Sequence, residues 1–170
     1  GINFPKVSEA LGLVPLKIGD KQILLACGHD ERGLIYSLLE LADRIKYSDS
    51  DSALDSLNLQ KAIVEQPKNI IRSNNRLFVS EIEDKPWFYD REMWKHYLTM
   101  LATQRFNRFN LALGIGYDFL QNITDAYFLF AYPFFLSVPG YNVTIQQLSN
   151  EERENNLATL QYISSQTVAR

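Results

Sequence analysis

The chain has 170 residues, 46% hydrophobic and 22% charged, which is enough for a sizeable core and too apolar for a disordered chain. Its net charge is -3, and the basic residues are scattered apart from Arg105 and Arg108, so a nucleic-acid surface is excluded. A single cysteine, Cys27, excludes an internal disulfide framework and a cysteine-built zinc site.

The start, Gly1-Ile-Asn-Phe4, carries no signal peptide. Removal of an upstream segment is the expectation, and a periplasmic or secreted location fits it, although Cys27 decides nothing about compartment. Val14-Pro-Leu-Lys-Ile18 and Gln22-Ile-Leu-Leu-Ala-Cys27 flank the turn signal Gly19-Asp20-Lys21, so a hairpin is predicted. Gly28-His-Asp30 then opens a helix capped by Asp30, with Glu31 in its first turn. Its apolar stripe is Leu34, Ile35, Leu38, Leu41, Ala42 and Ile45. Tyr47-Ser-Asp-Ser-Asp-Ser52 breaks the pattern, a short helical turn follows through Leu59, and a strand near 61–65 ends at Pro67. Residues 1–67 therefore form a small α/β domain.

A second region, 68–170, opens with a strand at Arg76-Leu-Phe-Val-Ser-Glu81 and an acidic, aromatic loop, Asp84-Lys-Pro-Trp-Phe-Tyr-Asp90. Asp90 caps a helix with Met93, Trp94, Tyr97, Leu98 and Leu101 inward, and Phe109-Asn-Leu-Ala-Leu-Gly114 is the next strand. Residues 116–143 form a long aromatic excursion. Its most apolar stretch, Phe128 to Val138, spans about 11 residues and is too short to cross a membrane. Ser149 and Glu152 make a capping box for a last helix with Leu157, Leu160 and Ile163 inward. This order is the opening of a (β/α)₈ barrel, so the fold class is α/β, a small α/β domain plus the first units of an incomplete TIM-type barrel. Phe78, Val79, Leu111 and Leu113 are then expected to face missing neighbours, leaving edges to be covered by the rest of a barrel or by a homodimer.

Barrel enzymes hold substrates in the loops that follow their strands. That rule selects Glu81, Glu83, Asp84 and Trp87 after the first strand, and Tyr117 and Asp118 after the second. Aromatic faces beside carboxylates suit a carbohydrate substrate; the alternative is that these rings simply pack loops on the barrel. Two residues apart on a strand, Glu81 and Glu83 lie about 6 to 7 Å apart, near the spacing of glycosidase carboxylate pairs. They leave the chain in the same direction, however, so binding or loop ordering suits them better than catalysis. Arg72 and Arg76 at the strand's entry could grip sugar hydroxyls or a carboxylate, or could pair with Glu81 or Glu83. His29 and His96 lack ligand-spaced partners, so neither a metal nor a cofactor is expected, and no phosphate loop or nucleophile elbow occurs.

Two segments carry a resemblance. Gly28-His-Asp-Glu-Arg-Gly-Leu-Ile-Tyr-Ser-Leu-Leu-Glu-Leu-Ala42 resembles the small α/β domain that precedes the barrel in family 20 β-hexosaminidases and family 67 α-glucuronidases. Asn69-Ile-Ile-Arg72, and the helix and strand through Trp94 to Asn110, are similar to the domain junction and barrel start of such enzymes. The resemblance implies a glycoside hydrolase whose catalytic acids come from later strands, beyond this chain. Arg76 is the closest match to its sugar-gripping arginine. A non-catalytic carbohydrate-binding or structural module is the alternative.

Overall fold

The computed structural model describes residues 3–49, 52–78, 81–113, 135–137, 140, 146 and 148–170. The chain divides into two compact units, Gly1–Ile70 and Ile71–Arg170.

The first unit is one sheet and one long helix. Strands β1 (Leu11–Ile18) and β2 (Lys21–Gly28) pair antiparallel with Ile18 opposite Lys21, leaving the two-residue loop Gly19-Asp20. Gly19 has φ +60°, the position that a type II′ hairpin turn reserves for glycine. A 3-10 turn (Ala53–Leu57) precedes β3 (Ile63–Glu65), which pairs antiparallel with β1 on its other edge. Helix α1 (Glu31–Lys46) starts at Asp30, whose carboxylate accepts the Gly33 N–H at 2.8 Å.

The helix is seated by glycine. A Cβ on Gly28 would lie 2.0 Å from the Leu34 nitrogen, and one on Gly33 would lie 2.2 Å from the Ala10 carbonyl oxygen. That approach fixes the rotation of α1, turning Gly33, Tyr36 and Ser37 inward. The predicted stripe is therefore not the packing face: Leu34, Ile35, Leu38 and Ile45 are exposed. Ala10, Leu11, Leu13, Val14 and Tyr36 supply the apolar core. The opposite sheet face leaves Leu16, Ile18, Ile23 and Leu25 exposed, and Gly12 lies against Phe4 and Cys27 there.

In the second unit β4 (Ser73–Phe78) and β5 (Arg108–Leu113) pair in parallel, Arg76 opposite Leu111. Between them run α2 (Glu81–Tyr89) and α3 (Arg91–Thr103), and α4 (Asn150–Val168) closes the chain. The first strand thus sits earlier than expected, and the predicted acidic loop is helical despite Pro86, which removes one backbone donor from α2. Asp90 caps α3 by accepting the Met93 N–H at 2.9 Å, and Trp94, Leu98 and Leu101 point inward as the spacing predicts.

Phe78, Phe88, Trp94, Leu98, Leu101 and Ile163 form the core, with Leu111 and Leu113 packed against it. This overturns the expectation that Phe78, Leu111 and Leu113 face absent neighbours; alternation along the strands turns them toward the helices. Val79 lies outside the described residues. On α4 the buried positions are Asn156, Thr159 and Ile163, so Ile163 points inward as expected while Leu157 and Leu160 are only half-buried. Ser149 accepts the Glu152 N–H at 3.0 Å, but the Glu152 carboxylate pairs with Lys85 at 2.6 Å. The fold is mixed α/β, and among the described residues no helix is long and apolar enough to cross a membrane.

Candidate functional site

Three of the residues singled out from sequence, Arg76, Asp84 and Trp87, come together with Tyr97 where α2 and α3 cover β4. Asn74, Arg76 and Phe78 alternate onto the helix side of that strand. The Arg76 guanidinium carbon lies 4.1 Å from the centre of a Trp87 ring and 5.3 Å from that of Tyr97. Arginine stacks readily on aromatic faces because its charge is delocalised and weakly hydrated. Trp87 is fixed in turn, donating its indole N–H to the Asp84 carboxylate at 2.6 Å. Tyr97 donates its hydroxyl to the Asn74 side-chain oxygen at 3.2 Å. Edge-to-face contacts extend the cluster, with ring centroids 5.7 Å apart for Phe78 and Trp87, 5.5 Å for Trp87 and Trp94, and 5.9 Å for Tyr97 and Phe109.

Asp84 is buried, which suits a carboxylate that holds an indole in place more than one that meets a ligand. Glu83 is exposed on α2. Glu81 opens α2 instead of ending a strand, so it and Glu83 stand two residues apart on a helix. The extended-chain spacing that brought them near glycosidase separations does not apply. Tyr117 and Asp118 lie outside the described residues.

Arg72 has a local task. Its Nε donates to the Arg105 carbonyl at 2.7 Å, and its backbone N–H to the Asn107 side chain at 2.9 Å. These bonds hold the tight connection into β5, where Arg105 takes a left-handed φ of 65°. The other face of β4 and β5 is mixed: Ser73, Asn75, Arg108 and Asn110 are exposed and polar toward the strand entry, and exposed Leu77 with half-buried Ala112 follows. The Asn110 amide there donates to the Asn75 oxygen at 2.8 Å.

Sequence reasoning missed Asn74 and Tyr97 as members of the cluster. The alternation of β4 carries the first, and Tyr97, read as a packing position, was one helical turn from Trp94. Among the described residues no group of His, Cys, Asp and Glu could hold a metal ion. An open groove of about 610 Å³ beside the end of α1 is lined by Glu40, Asp43, Arg44, Tyr47, Asp49 and Asp55 among others, none of them expected from sequence to bind substrate. Arg44 is paired there with Glu40, its Nη2 lying 2.8 Å from Oε1.

The electrostatic outlier of the first unit is Asp30. The Ser8 hydroxyl, the Gly33 N–H and the Glu9 N–H all donate to its carboxylate, and its pKa falls to about 2. It ties the loop before β1 to the start of α1, while Arg32 pairs with the buried Glu9 at 3.3 Å.

No protein family and no curated protein matches the chain. A solved structure does: a GH138 enzyme targeting pectin rhamnogalacturonan II, with 20% sequence identity and a TM-score of 0.55 over 94% of this chain. The chain spans 17% of that enzyme's length. The likeness is one of fold, to part of a glycoside hydrolase, and it does not single out families 20 or 67.

Proposed function

We propose that this chain is the leading part of a carbohydrate-active enzyme, a glycoside hydrolase acting on O-glycosidic bonds. The observation that supports this reading is the fold likeness over 94% of the chain to a GH138 enzyme. In this reading the first unit is an accessory α/β domain of the hexosaminidase-like kind. The segment β4, α2–α3, β5 begins a (β/α)₈ barrel whose later strands lie beyond residue 170. The acid and base come from those strands, because Asp84 sits buried against Trp87 and Glu83 projects into solvent. A pectic polysaccharide is the first substrate class to test, following what the GH138 enzyme targets.

Two measurements test the proposal. The native protein, detected with an antibody against this chain, should run several-fold above 19.6 kDa and release sugar from pectic polysaccharide. The 170-residue chain alone should release none. A native species at 19.6 kDa that binds polysaccharide without cleaving it would replace the enzyme with a carbohydrate-binding module.

A further inference from the structure

Arg76 differs from the other arginines of the cluster's surroundings. Arg72 donates to a backbone carbonyl and Arg91 lies over Tyr162, with its backbone carbonyl bonded to the same ring's hydroxyl. Arg76 has aromatic rings beside it and no carboxylate: none of the described residues pairs with it, and its Nε is enclosed without a hydrogen-bond partner. A buried charged donor left unpaired is costly, and of the two such arginines among the described residues Arg44 is paired with Glu40 whereas Arg76 has no carboxylate. Trp87 and Tyr97 also hold the guanidinium in place, and Asp84 and Asn74 hold those rings. None of the described residues bonds its Nη groups, so two parallel donors remain unpaired on a half-buried, oriented cation.

We propose that Arg76 is the anchor of a carboxylate-binding site on the helix-covered side of β4, taking an acid group end-on through its two Nη donors. The planar fork matches the two oxygens of a carboxylate, and the flanking rings exclude water from the pair. Asn74 adds a side-chain amide on the same strand face. The site is separate from the exposed face of Ser73, Asn75, Arg108 and Asn110, and it stands whether or not a barrel follows.

The test uses the full chain and the reactivity of Arg76 toward phenylglyoxal, followed by peptide mass mapping. Sodium D-glucuronate, sodium acetate, D-glucose and sodium chloride are compared at equal ionic strength. Glucuronate should slow modification of Arg76 by roughly tenfold, as expected for a charge-assisted bidentate pair, while glucose and chloride leave it unchanged. Equal protection by acetate would mean that the acid group alone is read. Protection by glucuronate but not acetate would mean that a sugar acid is the ligand. Equal rates in all four solutions, or protection by glucose equal to that by glucuronate, would overturn the proposal. A second readout is the Trp fluorescence change on adding glucuronate, which Arg76→Gln should abolish. A folded Arg76→Gln protein that keeps the change would overturn the proposal as well, and if that variant does not fold, the protection experiment decides alone.

Discussion

In the first unit, α1 meets its sheet through backbone: two glycines let a helix nitrogen and the Ala10 carbonyl, just before β1, approach to distances that no side chain permits. In the second, α2 and α3 meet their sheet through rings, with Phe78, Phe88, Trp87, Trp94, Tyr97 and Phe109 packed edge to face. The first arrangement depends on the absence of atoms and the second on their presence. A methyl group added to one and a ring removed from the other should therefore both be damaging, the lost ring more so. The first unit also shows that a helix orients by its closest approach: α1 turns Gly33 inward and leaves four large apolar residues outside.

The largest expected effect is in the ring cluster. Trp94 is fully buried, and Trp94→Ala should cost about 3 to 5 kcal/mol, read by denaturant unfolding. Amide exchange in β1 and β2 should stay unchanged, and faster exchange there would break the separation of the two units. Next is Gly33→Ala, for which overpacking against the Ala10 carbonyl should cost about 1 to 3 kcal/mol. A neutral result would mean that α1 is held by something other than its glycine seat.

Asp30 sharpens the same side of the comparison. Asp30→Ala should cost about 1 kcal/mol as a lost helix cap. The folded pKa of about 2 lies below the ordinary 3.8, so the carboxylate stabilises the fold above about pH 4, and that contribution disappears as pH falls toward 2. Asp30→Asn should flatten the unfolding midpoint across that window, and an unchanged acid limb would show that Asp30 does not govern it. The smallest effect belongs to Lys85→Gln, which removes a partly exposed pair with Glu152 worth about 0.2 to 1 kcal/mol. A larger loss would mean that this pair, rather than the rings, holds α4 in place.

What was legible in the sequence was what neighbouring residues decide. The hairpin at Gly19-Asp20, the caps Asp30, Asp90 and Ser149, and the inward face of α3 all rest on contacts within a few positions. What was not legible depended on distant partners. Asn74 and Asn75 are poor strand formers, yet they open β4 because β5 pairs with them. Pro86 reads as a helix breaker, yet α2 passes through it, held by Lys85 to Glu152 and by a hydrogen bond from Tyr89 to Asn156. Of the candidate site, Arg76, Asp84 and Trp87 do meet, but at a packed helix interface and not at an open strand end. The exposed face is the other one, polar at Ser73, Asn75, Arg108 and Asn110 and apolar at Leu77 and Ala112.

Helix α4 is tied to α2 and α3 along its whole length. Lys85 holds Glu152, Tyr89 holds Asn156, Tyr162 reaches the Arg91 carbonyl, and Arg170 donates to Thr99 at 2.9 Å. Because these four contacts are spread from Glu152 to Arg170, α4 acts as a clasp across α2 and α3, and loosening it requires several of them to break together.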